Sequence, residues 1–147
     1  MRTKELISPA SGKILRFDAD RQMLTIFMHL HNVHLTVAPL DGVVTRITPE
    51  QGAFKPAFIR SADFNTRNTI ELSTAFGNIC VVHIAGFLTR KILCDVQVGQ
   101  QVQQGERLGK ICFGSRVDIS VPDGFALLVT EGARVRCGKT PLARKAK

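Results

Sequence analysis

The chain has 147 residues, 44% of them hydrophobic and 22% charged, with a formal net charge of +8. That length suits a single domain over residues 1–147 with a real core, and the composition excludes a disordered tail. The positive charge attracts anionic partners, but Trp and Tyr are absent and no segment reads as a recognition helix, so no nucleic-acid partner is expected.

In chain order, Pro9-Ala-Ser-Gly12-Lys-Ile14 opens a pattern that Pro39-Leu-Asp-Gly42-Val-Val44 repeats. Between them, Met23–Val37 is rich in β-branched and large apolar residues and predicts one long strand or two short ones. Val43–Ile47 is the next strand, after the turn Pro39–Gly42 and before the turn Pro49–Gly52. Gly52–Thr69 has no strand character and carries Phe54, Phe58 and Phe64. It is expected to be an ordered excursion with a helical turn, lying over the sheet. Strands resume at Thr69–Leu72, Ile79–Ile84, Lys91–Val98 and Val117–Val121, with turns at Phe76–Asn78 and Pro122–Gly124. The basic end, Arg144-Lys145-Ala146-Lys147, is expected to be solvated.

A second repeat links Gly99-Gln-Gln-Val102-Gln-Gln-Gly105 with Gly132-Ala-Arg-Val135-Arg-Cys-Gly138. Each Gly permits a tight turn at positive φ, and the central Val is placed to be buried between the turns. Two such units predict a mostly β fold, a pseudo-symmetric sandwich or barrel of short strands in which each half covers the other. Biotinyl and lipoyl carrier domains, the hybrid-motif folds, share this punctuation. Their modified lysine follows a Met, and no Met-Lys pair occurs here.

The longest apolar runs, Leu24–Leu30 and Ile79–Leu88, fall far short of the ~20 residues of a membrane-crossing helix. The start of the chain has no apolar signal core. A cytoplasmic protein is expected, with any membrane contact peripheral. Cys80, Cys94, Cys112 and Cys137 lack Cys-x-x-Cys or zinc-ligand spacing and are expected to be reduced core thiols. No metal site is expected. On a continuous strand His29 and His31 would share one face and His34 the other, and two imidazoles without a third ligand make a poor site. His83, inside an apolar run, reads as a core histidine.

Gly105-Glu-Arg-Leu-Gly109-Lys-Ile-Cys-Phe-Gly114-Ser115-Arg-Val resembles the processing region of phosphatidylserine decarboxylases of the short bacterial and archaeal form. Four further segments resemble that family in order. Ile7-Ser-Pro-Ala-Ser-Gly12 matches its Ser-Pro-Ala-Asp-Gly element. Asn32-Val-His34, with the later Ala38-Pro39, matches its Asp-Val-His strand. Asn65-Thr-Arg67-Asn68 matches Asn-Glu-Arg-Asn, and Ile84-Ala-Gly86 through Lys91 matches its Ile-Ala-Gly strand with a basic end.

The resemblance implies a pyruvoyl-dependent decarboxylase of phosphatidylserine or a smaller phosphorylated amine. In such an enzyme the Ser115 hydroxyl attacks the Gly114 carbonyl, the chain is cut into residues 1–114 and 115–147, and residue 115 becomes a pyruvoyl group. That carbonyl condenses with the substrate amine and acts as an electron sink. His34 is the candidate base, by resemblance and because imidazole titrates near neutrality. Arg67, Arg90 and Lys91 are candidates for the substrate phosphate, while Arg116 is expected to face away from the cut.

This chain departs from the family at the two acidic positions, which are Ser11 and Asn32, and a second histidine of longer members corresponds to Val37. Ser11 cannot carry the charge thought to help activate the serine. Asp41 or Asp118 is a replacement candidate. The second reading is therefore a non-catalytic relative that binds anionic lipid or a protein partner. Exposed sheet edges favour a homodimer in either case.

Overall fold

The computed structural model describes residues 4–28, 35–52, 65–86, 92–111 and 115–146. In chain order they form β1 (Glu5–Ile7), β2 (Gly12–Asp18), β3 (Met23–Phe27), β4 (Leu35–Val37), β5 (Gly42–Glu50), β6 (Arg67–Thr74) and β7 (Gly77–Ile84). There follow β8 (Ile92–Cys94), β9 (Gln101–Val102), β10 (Arg107–Ile111), β11 (Arg116–Ser120), β12 (Phe125–Leu127), β13 (Arg134–Val135) and β14 (Pro141–Lys145). Among the described residues there is no helix, and hence none long and apolar enough to cross a membrane. An eight-stranded antiparallel sheet runs β13-β2-β3-β11-β7-β6-β5-β9, beside two three-stranded sheets, β1-β14-β12 and β4-β10-β8. The mostly β sandwich expected from the repeats is the observed architecture.

The repeats account for the two ends of the large sheet. Gly99, Gly105, Gly132 and Gly138 have φ of 92°, 89°, 87° and 73°, values that a side chain resists. Between each pair a Val is buried, Val102 in β9 and Val135 in β13. β13 pairs with β2 through Val135 and Gly12, and β9 pairs with β5 through Val102 and Gly42. The flanking bonds match as well. Gly132 N donates to Ile14 O at 2.8 Å where Gly99 N donates to Val44 O at 2.7 Å, and Gly138 N donates to Ser8 O at 2.8 Å where Gly105 N donates to Ala38 O at 2.9 Å. Even the side-chain caps correspond: Cys137 N donates to Ser11 Oγ at 2.8 Å and Gln104 N to Asp41 Oδ1 at 2.7 Å.

β3 and β11, near the middle of the large sheet, are buried on both faces. On one face Leu24, Ile26, Ile70, Val81, Val117 and Ile119 join the main core, each such burial contributing roughly 1.5–3 kcal/mol. On the other, Met23, Val82 and Ile84 form a smaller cluster.

Of the two readings of Met23–Val37 the structure takes the second, two short strands, with β3 in the large sheet and β4 in another. The face argument for His29, His31 and His34 therefore lapses, and those residues lie outside the described ones. Of Lys91–Val98 the described residues give a strand over Ile92–Cys94 that stops short of Val98, and Lys91 lies outside them. Asp95 turns its carboxylate to Arg107 at 2.6 Å, and a turn closed by Gln100 N on Gln97 O at 3.0 Å follows. Of Gly52–Thr69, β6 takes Arg67 onward, and the helical turn expected over the sheet falls at 53–64, outside the described residues. The basic end is tied down: Arg144 and Lys145 belong to β14, and Arg144 pairs with Glu5. Nor are the thiols all in the core, for Cys80 and Cys137 are half-buried and Cys94 is exposed.

Candidate functional site

Ser115 stands at the entry to β11. Its carbonyl accepts a hydrogen bond from Met28 N at 2.9 Å, which extends the β11–β3 ladder by one residue and fixes the serine backbone against the end of β3. The side chain is fully buried, and its Oγ has no hydrogen-bond partner among the described residues. An unsatisfied buried hydroxyl costs about 1–3 kcal/mol, which makes Ser115 a candidate functional group.

Side chains alternate along a strand, and directly opposed residues share a face. Ser115 thus points to the same side as Val117, whose partner on β7 is His83. His83 in turn faces Asn68 on β6. The imidazole is fully buried, with Nε2 at 2.8 Å from Thr36 Oγ1 on β4. Loss of hydration pushes its pKa from 6.5 down to about 4, so the ring is neutral. Its Nδ1, like Asn68 Oδ1, has no partner among the described residues. Asn65, also buried, donates to Ala85 O at 2.7 Å and anchors the end of β7. Ser115, His83, Thr36, Asn65 and Asn68 thus gather at one end of the large sheet, where β4 packs against it.

The opposite face is organised by an ion pair. Arg116 is buried, as expected turned away from Ser115, and it holds Asp118 through Nε–Oδ1 at 3.0 Å and Nη2–Oδ2 at 2.9 Å. Asp118 therefore cannot replace the acidic helper: it is committed to Arg116 and lies on the wrong side of β11. Asp41 fails for distance. It adjoins Gly42, which pairs with Thr74, whereas Ser115 adjoins the row Arg116–Ile84–Arg67. Thr74 and Arg67 are the two ends of β6, separated by about 23 Å at ~3.3 Å per residue. Ser11 sits two strands from Ser115 and accepts the Cys137 N–H. It keeps the cap bond that Asp41 makes in the other half of the fold, without the charge.

Arg67 is half-buried. Its Nε donates to Asn65 O at 3.2 Å, and its Nη2 has no partner among the described residues. With Asn68, Thr66, Glu50 and Cys94 it lines a cavity of about 510 Å³ at the same end of the sheet as Ser115. His34, Asn32, Gly114, Arg90 and Lys91 lie outside the described residues. Among the described residues no group of three His, Cys, Asp or Glu could hold a metal. Sequence reasoning missed Thr36, Asn65 and Asn68 as members of the site and read His83 only as core. The Asn65–Asn68 element did stand out by resemblance, whereas nothing in the sequence marks Thr36.

A family model described as phosphatidylserine decarboxylase matches residues 1–143. A phosphatidylserine decarboxylase proenzyme of Paramagnetospirillum magneticum is 43% identical over 153 aligned positions, covering 94% of this chain and 63% of the relative. One from Thermobifida fusca is 40% identical over 141, covering 94% and 65%. A protein of Methanosarcina barkeri, provisionally named an archaetidylserine decarboxylase proenzyme, is 38% identical over 138, covering 94% and 67%. The chain spans about two thirds of the length of these relatives.

Proposed function

The chain belongs to the phosphatidylserine decarboxylase family, and from that premise we propose that it is a pyruvoyl-dependent decarboxylase of phosphatidylserine or a related phosphoserine-bearing amine, matured by self-cleavage at Gly114–Ser115. The observation that carries this reading is the buried, unpartnered Ser115 hydroxyl at the start of a central strand. The site fits the group. Residue 115 keeps its carbonyl on Met28 N–H, so the new terminus of the 115–147 fragment stays fixed after the cut. A pyruvoyl group there supplies an electron sink for the substrate's departing carboxylate.

The remaining work falls to this chain's side chains. Arg67, which lines the cavity at that end of the sheet, suits a substrate phosphate, and Arg90 and Lys91 are assigned the same role. Self-cleavage needs a base within hydrogen-bond reach of Ser115 Oγ, and His34 is the candidate from sequence. The protein works in the cytoplasm as a homodimer, and its net charge of +8 draws it to anionic membrane surfaces.

Intact mass under denaturing conditions tests the proposal. The expected result is two fragments, 1–114 and a pyruvoyl-capped 115–147, together with release of carbon dioxide from phosphatidylserine vesicles. Ser115→Ala should remain one chain without activity. A second reading, a non-catalytic relative that binds anionic lipid or a protein partner, draws support from Ser11, whose hydroxyl is occupied by Cys137 N–H. A wild-type chain that never opens would favour it.

A further inference from the structure

We propose that Glu50 acts as a charge filter in the cavity beside Arg67, admitting a singly charged phosphodiester and penalising a doubly charged phosphomonoester. This role rests on the decarboxylase reading and deepens it, because that reading leaves the form of the substrate phosphate open. Three observations carry it. First, the β5–β6 register pairs Glu50 directly with Arg67, so the two side chains leave the sheet on one face with Cβ atoms roughly 4.5–5.5 Å apart. Second, both line the cavity of about 510 Å³, and among the described residues they are its only formally charged members. Third, neither is spent on the other. Arg67 gives its Nε to Asn65 O at 3.2 Å, and among the described residues no ion pair joins it to Glu50.

The consequence follows from counting charge. Against Arg67 alone, a phosphate would gain from every negative charge it carries. With a carboxylate across the same row the pair is neutral overall, and each added negative charge on the ligand meets a repulsion beside the attraction. A diester phosphate stays singly charged, whereas a monoester takes its second charge as the pH rises through about 6. One unit charge at ~6 Å changes an affinity about 3-fold at the dielectric of water, and by more where protein displaces the water. The rest of the wall suits a diester. Ile47, Pro49 and Ile92 offer apolar surface to the second ester arm, which a monoester lacks. The ionisable groups that share the cavity with Glu50 are Arg67 on β6 and Cys94 on β8. Their own titration is common to chains with and without Glu50 and cancels between them.

Glycerophosphoserine and O-phosphoserine test the filter, since they present the same serine and differ at phosphorus. Carbon dioxide release gives kcat/KM for each on the wild-type protein, Glu50→Gln and Glu50→Asp, at low salt from pH 5.5 to 7.5. Glu50 is exposed, so neither substitution disturbs the core. We expect the wild type to prefer the diester, increasingly as the pH rises. Glu50→Gln should narrow that preference at least ~3-fold at pH 7.5 and by less at pH 5.5, while Glu50→Asp keeps it. A preference that Glu50→Gln leaves unchanged, or narrows equally at both pH values, overturns the inference and leaves the decarboxylase reading standing. A wild-type chain that is never cut and releases no carbon dioxide overturns that reading instead. The filter is then judged by calorimetric titration of the same two ligands into the uncut chains, on the same ratios, and it is refuted if neither ligand binds.

Discussion

The buried imidazole makes a quantitative demand on stability. In the unfolded chain His83 titrates at its ordinary 6.5, and in the folded protein at about 4, because burial penalises the charged ring. The folded state therefore binds fewer protons between these values, and acid favours unfolding. His83 costs nothing above pH 6.5, becomes progressively destabilising as the pH falls toward 4, and levels off below that. At 1.36 kcal/mol per unit the full loss is about 3 kcal/mol. Among the described residues that face the ring (Val117, Asn68 and Thr36), none is charged, so no neighbour offsets the loss. The measurement is urea denaturation of Ser115→Ala, which keeps the chain uncut, with and without His83→Gln, at steps from pH 7.5 to 4. Carboxylates titrate equally in both and cancel in the difference. The stability gap between the two chains should move by about 3 kcal/mol in favour of the Gln chain, or roughly 1–3 M in midpoint at typical urea slopes. A gap that stays constant with pH would refute the claim that this histidine is held neutral.

Three further outcomes follow from the same geometry. Ser115→Ala removes a buried orphan hydroxyl, so against the wild-type chain before it is cut it should raise stability by about 1 kcal/mol, read as a melting temperature roughly 2–4 °C higher. Asp118→Asn leaves Arg116 charged in the interior and should cost about 3–5 kcal/mol, whereas Asp95→Asn, in the exposed pair with Arg107, should cost under ~1 kcal/mol; parallel melts compare them. Gly109→Ala would place a Cβ 2.2 Å from the Leu93 carbonyl oxygen. It should disrupt the β10–β8 pairing and lower stability by more than ~2 kcal/mol, against a change under ~1 kcal/mol for Lys110→Ala on the exposed face of the same strand.

What could be read from the chain beforehand was whatever depends on local chemistry. The paired Gly-x-x-Val-x-x-Gly segments foretold both their turns and their buried valines, because positive φ and burial are properties of single residues in a short frame. The break between β3 and β4 was foretold only as one of two readings, one long strand or two short ones. Met23–Val37 is rich in β-branched and large apolar residues, and nothing in such a run records that its two ends join different sheets. Lys91–Val98 was overextended for a related reason: nothing in the local pattern records that the pairing with β10 covers Ile92–Cys94 and not the residues up to Val98. Ser115 was legible because its surrounding segment resembles a processing site. Thr36 was not, since its role exists only through a contact with His83, which is 47 positions away. The misplaced hope in Asp118 has a local origin: three positions along a strand put it on the face opposite Ser115. A carboxylate three positions from the serine looks available until Arg116, two positions from it, folds back upon it.

The position of β11 has one more consequence. It lies between β3 and β7, while β12, β13 and β14, from the same side of the proposed cut, are woven into β1 and β2. Severing the peptide before residue 115 would turn one polypeptide into two that remain interleaved, and they would travel as a single species until the whole molecule is denatured. Refolding would then need an encounter between separate molecules, without the entropic advantage of a continuous chain. Maturation in such an architecture is a commitment made after folding, and the lifetime of the mature form would be set by how slowly it first opens.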